Sequence, residues 1–149
     1  MSTRHVRRTA LTLSIITVTV VAILLVVVAS AQLVDEGASA MQVSGTWASS
    51  SSEAPGTIAI ETDGTAAASG LTVLDQRADP ARVLGTGIEG TGSWTLDRGQ
   101  LKVVIADEAG TEYELHMFVM RTPLRGQFLR VVVGDPDGPR ATQDFWRAD

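Results

Sequence analysis

Between Met41 and Arg147 the chain is a succession of short strand-like segments with little between them, and this spacing constrains the fold most. Met41, Val43, Gly45 and Trp47 alternate with Gln42, Ser44 and Thr46, the period of two that marks a half-buried strand. Thr57–Glu61 alternates again and runs into Thr62-Asp63-Gly64-Thr65, an Asp-Gly hairpin signal whose turn needs positive φ. The returning strand, Thr65–Leu71, is rich in alanine. Further strands are expected over Gly92–Asp97, Leu101–Ala106, Glu112–Met120, Phe128–Val133 and Ala141–Arg147. Arg98-Gly99, Asp107–Gly110, Thr122–Gly126 and Gly134–Pro139 supply the turns. Only Ser49–Gly56 and Thr72–Glu89 read as longer loops, the second with a helical turn after Pro80. Short turns cannot carry a parallel crossover, so about eight strands pair in sequence and antiparallel. Such a meander can close and lose its edges. The expected fold is therefore all-β, a small up-and-down antiparallel β-barrel over residues 41–149, with a sandwich of two meander sheets as the alternative.

The segment before this domain is of another kind. Residues 1–8 carry Arg4, Arg7 and Arg8 and no acid, and from Thr9 to Val34 there is no charge at all. As a helix, Ala10–Val34 would measure about 37 Å against a hydrocarbon core of roughly 30 Å. The sequence thus predicts one N-terminal transmembrane helix within residues 9–34, its partner the lipid bilayer. Arginines before it and none close after it place 1–8 in the cytoplasm and the rest outside. Ala29-Ser30-Ala31 also has the small residues that a signal peptidase reads, so secretion after cleavage following Ala31 is the alternative. Residues 35–40 read as a short tether.

Once the first 31 residues are set aside, 9 Lys+Arg stand against 17 Asp+Glu, a net charge of −8. That balance excludes a basic nucleic-acid binder. With no cysteine there is no disulfide framework, thiol nucleophile, lipoprotein anchor or Cys-type zinc site. His116 is the one histidine beyond the tail, and alternation puts it on a strand face with Glu112 and Glu114, opposite Tyr113, Leu115 and Met117. Zinc draws on more His or Cys than this, so that face reads as exposed structure. Asp135, Asp137, Asp107 and Glu108 carry the letters of turns rather than of a calcium loop. Gly85-Thr86-Gly87-Ile88-Glu89-Gly90 spells a dinucleotide fingerprint, yet a strand follows where a helix N-terminus would be needed. No serine sits in a nucleophile elbow, and no pair of acids stands out as acid and base. No catalytic residue, cofactor site or metal site is assigned, and the chain does not read as an enzyme.

Two sets of residues carry a resemblance. Gly45-Thr46-Trp47 in the first strand and Phe145-Trp146-Arg147 in the last resemble the lipocalin and wider calycin pattern. That resemblance implies that Arg147 packs over Trp47 and closes one barrel end. The β-domain here is shorter than a typical lipocalin and lacks an obvious C-terminal helix. The fuller set, Gly45-Thr46-Trp47, Asp63-Gly64-Thr65, Gly90-Thr91-Gly92-Ser93-Trp94 and Gly134-Asp135-Pro136-Asp137, is similar to small exported actinobacterial proteins of unknown function. It covers nearly all of Val43–Arg147 and brings no activity with it.

The aromatic residues are expected to fill the core. The functional alternative is a pocket for a small apolar ligand, lined by Trp47, Ile58, Ile60, Trp94, Leu101, Val103, Leu115 and Met117. Two functions compete: a membrane-anchored extracytoplasmic interaction or accessory module, and a carrier or sensor of such a ligand.

Overall fold

The computed structural model describes residues 17–28, 31–77, 82–133 and 141–148. These form two compact units. One holds helix α1, over 17–28, together with Thr122–Gly126. Among the described residues no helix is long and apolar enough to cross a membrane. Leu33–Val34, the last two residues of the expected span, instead form a short strand, β1, paired antiparallel with Arg121 and Met120.

The second unit is the barrel. After a single helical turn, α2 (Ala40–Val43), come β2 (Gly45–Ser49), β3 (Thr57–Ile60), β4 (Thr65–Asp75) and β5 (Arg82–Asp97). β6 (Gln100–Asp107), β7 (Glu112–Thr122), β8 (Gly126–Val133) and β9 (Ala141–Arg147) complete it. Each strand from β2 to β9 pairs with its sequence neighbour, and β9 returns to β2, with Trp47 opposite Arg147. The result is a closed eight-strand antiparallel barrel rather than a sandwich.

Alternation decides which side chains fill it. Leu101, Val103 and Ile105 of β6, Leu115, Met117 and Val119 of β7, and Leu129, Val131 and Val133 of β8 are all at most 2% exposed. They form one apolar cluster with Trp47, Ile58, Ile60 and Phe145. One wall is built from small residues, since Ala66 and Ala68 of β4 lie opposite Gly92 and Gly90 of β5. A Cβ on Gly92 would stand 1.8 Å from the Val104 carbonyl oxygen, and one on Gly90 2.2 Å from that of Ala106. β5 therefore lies closer to the β6 backbone than a side chain permits.

Three expectations need correction here. Met41–Val43 do not open the first strand but form α2, where the Ser39 N–H donates to Gln42 Oε1 at 2.9 Å. Residues 35–40 are no loose tether: the Asp35 N–H donates to the Val119 carbonyl, and Gln127 Nε2 donates to Asp35 Oδ2 at 2.7 Å. Thr72–Glu89 is not a loop, because β4 runs on to Asp75 and β5 starts at Arg82. Gly85–Gly90 accordingly lies within a strand. The pairing is broken by register shifts between Ala68 and Leu71, Leu71 and Val73, and Val73 and Leu74, and these hid the period of two. Gly70 and Gly87 take φ of +59° and +63° at this irregular stretch. The helical turn expected after Pro80 gives way to strand, since β5 already begins at Arg82 and pairs there with Asp75; Asp135 and Asp137 lie outside the described residues.

Candidate functional site

Both ends of the barrel are covered. At the end where α2 enters, Val43 is fully buried and its carbonyl accepts from Trp47 Nε1 at 2.7 Å. The Arg147 guanidinium lies 4.8 Å from the Trp47 ring centroid. It donates to the carbonyls of Ser44 at 3.0 Å and Gln42 at 2.7 Å. The β2–β9 register sets this contact, because it makes the two residues direct cross-strand neighbours. The expected closure pair is thus brought together.

At the other end the β4–β5 hairpin folds over the barrel. Leu71, Thr72 and Val73 are buried in succession. The Thr72 N–H donates to the Pro55 carbonyl at 2.9 Å. Gln143 Nε2 donates to the carbonyls of Ala54 at 3.0 Å and Thr72 at 3.3 Å. The Gln143 side chain is buried, and its Oε1 has no partner among the described residues. Farther along the hairpin, Gln76 clasps the β7 backbone: its Nε2 donates to the His116 carbonyl at 2.7 Å, and the His116 N–H donates to its Oε1 at 3.1 Å.

All eight residues of the hypothetical ligand pocket sit inside this closed barrel. Trp47, Ile58, Ile60, Trp94, Leu101, Val103, Leu115 and Met117 belong to one cluster, and none exceeds 8% exposure. Trp94 is tied further by Nε1, which donates to the Glu61 carbonyl at 2.8 Å.

The chemistry-bearing side chains lie on the outer surface of β6 and β7. Glu114 receives Lys102 Nζ at 2.9 Å and His116 Nε2 on its other oxygen. The hydrogen bond from Lys102, then that from His116, holds the Glu114 carboxyl below the usual carboxylate range. Glu114 is therefore engaged by Lys102 and His116, and among the described residues no three His, Cys, Asp or Glu side chains converge on a metal site. Asp107 serves its turn, accepting from the Thr111 N–H at 2.8 Å. A concavity of about 350 Å³ lies beside this face, between Glu112, Tyr113, Glu114 and His116 of β7 and Leu74–Arg77 of the hairpin. On the outside of β8 and β9, Phe128 stacks on Trp146 at 4.6 Å and Arg130 pairs with Asp144. That pair raises the Arg130 pKa, chiefly through the hydrogen bond to Asp144.

Sequence reading missed Gln76 and Gln143. Neither belongs to a motif, and each acts on residues far away in the chain; only their register within a folded barrel could have marked them. Comparison with known proteins gave no matching family model, curated protein or solved structure.

Proposed function

We propose that this chain is a membrane-anchored interaction module whose β-barrel, displayed outside the cell, works through its outer surface. One observation carries the reading: the eight residues that would line a ligand pocket pack against each other in one buried cluster. The barrel interior is occupied by its own side chains, and covered ends leave the outer face as the working surface.

Anchoring rests on the N-terminal segment. Every residue of α1 is exposed, and its only polar side chains are Thr17 and Thr19. A helix apolar on all sides belongs in protein or lipid rather than in water. The arginines at 4, 7 and 8 favour a cytoplasmic N-terminus. The lipocalin-like contact of Arg147 with Trp47 accords with a closed barrel and names no ligand.

Native mass spectrometry of the full chain extracted in detergent tests the reading. The bare polypeptide mass is expected, with tryptophan emission indifferent to added hydrophobic probes. A co-purifying mass that is lost on denaturation would instead make the barrel a carrier of a small apolar ligand. The same spectrum tests the anchor, because a mature chain starting at Gln32 means secretion.

A further inference from the structure

We propose that the β7–β8 turn, Thr122–Gly126, is a second membrane contact: Leu124 enters the interface of the outer leaflet, and Arg121 and Arg125 take phospholipid phosphates. The proposal rests on the anchored reading above and adds a foot to that anchor.

Chain length sets the distance. Residues 29–32 are all that separate the end of α1 from β1. Fully extended, the chain from Val28 to Leu33 reaches about 18 Å at most. Leu33 pairs with Arg121 at the end of β7, and the Asp35 N–H donates to the Val119 carbonyl at 2.8 Å. The turn starts at the residue after that pairing. With α1 in a bilayer, whose headgroups add roughly 5–8 Å beyond the hydrocarbon on each side, β1 holds this turn within reach of the membrane surface. Thr122–Gly126 falls in the same compact unit as α1 and not with the strands it joins.

The turn presents one large apolar side chain. The Arg125 N–H donates to Thr122 Oγ1 at 3.0 Å and Gly126 takes φ of +77°, which closes the loop. Pro123 and Leu124 stand at its tip, both exposed, Leu124 by 76%. Asp63-Gly64, Arg98-Gly99 and Asp107–Gly110 place only polar or small residues at the other described turns. Leu33 and Val34 of β1 are exposed as well. A leucine between two arginines suits a lipid interface, because the apolar chain reaches the acyl boundary while guanidinium groups stay among phosphates. Arg121 is 59% exposed, with one nitrogen 3.8 Å from Asp35 and further donors on the same guanidinium. These two cations stand out in a domain with 17 acids and 9 Lys+Arg after residue 31. Acids mark the other turns at Asp63, Asp97 and Asp107, which confines the contact to this one.

The test uses the full chain in vesicles of phosphatidylcholine and phosphatidylglycerol, and it exploits the lack of cysteine. A single environment-sensitive fluorophore is attached at Leu24→Cys in α1, at Pro123→Cys in the foot, or at Ala109→Cys in the turn before β7. Lipid spin-labelled near its headgroup should quench the labels at 24 and 123 several-fold more strongly than the one at 109. Adding Leu124→Asp to Pro123→Cys should bring quenching at 123 down to the level at 109. Arg121→Glu with Arg125→Glu should lower it independently, and unchanged tryptophan emission should show each variant folded. A quenched label at 24 beside an unquenched one at 123 overturns the foot and leaves the anchor standing. Quenching at neither position overturns the anchored reading, and the foot falls with it. Quenching at 123 that survives all three substitutions belongs to the fluorophore and likewise overturns the proposal.

Discussion

Arg147 combines three contacts that only a planar guanidinium can make together. Its face covers the Trp47 ring while two nitrogens reach the carbonyls of Ser44 and Gln42. Arg147→Ala is expected to cost about 1–2 kcal/mol in urea denaturation, from a lost exposed cation–π contact and two charge-assisted hydrogen bonds. Arg147→Lys should recover less than half of that, since an ammonium cannot stack flat and span both carbonyls; full recovery would reduce the site to plain charge. On the outer surface of β6 and β7, the hydrogen bond from Lys102 and then that from His116 hold the Glu114 carboxyl below its ordinary range. A depressed folded pKa contributes stability that is complete above the unfolded value and lost as pH falls through the folded one. Titration of the Glu114 side-chain carbonyl by NMR should therefore show a midpoint on the acid side of a free glutamate, moving upward in Lys102→Ala. An unmoved midpoint would show that the ion pair does not persist in solution.

At the scale of elements, the wall of Ala66, Ala68, Gly90 and Gly92 decides how closely β4, β5 and β6 approach. Gly92→Ala is expected to destabilise by about 3 kcal/mol, because its Cβ meets backbone rather than a movable side chain. Gly110→Ala, where nothing lies within 4 Å but φ is +80°, should cost about 1 kcal/mol from strain alone. Equal losses in thermal melts would remove the close-approach argument. The same wall shows what was legible beforehand. Alternation and turn residues are local, so the eight strands and their sequential pairing could be read from Thr57–Ile60, Leu101–Ile105 or Phe128–Val133 alone. The closure pair was legible too, through the motif residues Trp47 and Arg147. Thr72–Glu89 was not, because bulges break the period and glycines that serve bends and close approach look like loop. Met41–Val43 alternates as a strand does, yet four residues also make one helical turn, and the burial of Val43 under the barrel end chooses the turn. The Gln76 clasp joins positions 40 apart and left no local sign.

At the scale of the whole molecule, one barrel end is closed by a segment that the eight-strand pattern does not contain. Residues 33–44 bring β1 onto β7, bury Val43, and offer Trp47 and Arg147 the carbonyls they bind. Removing them uncovers the core beside Trp47 and leaves a buried indole N–H unpaired. The lost burial of Val43 is worth about 1.5–3 kcal/mol, and the unpaired donor about 1–3 kcal/mol more. A chain beginning at Gly45 should therefore be less stable by roughly 3–5 kcal/mol, a large share of what a domain of this size possesses. In calorimetry its midpoint should fall by roughly 15 °C or more against a chain beginning at Gln32. The comparison also bears on processing. Gln32 is the first residue left by cleavage after Ala31, immediately ahead of β1, so anchored and cleaved forms alike retain the closing segment. If the two chains melt within a few degrees of each other, residues 33–44 are a leash after all, and the barrel closes through its strands alone.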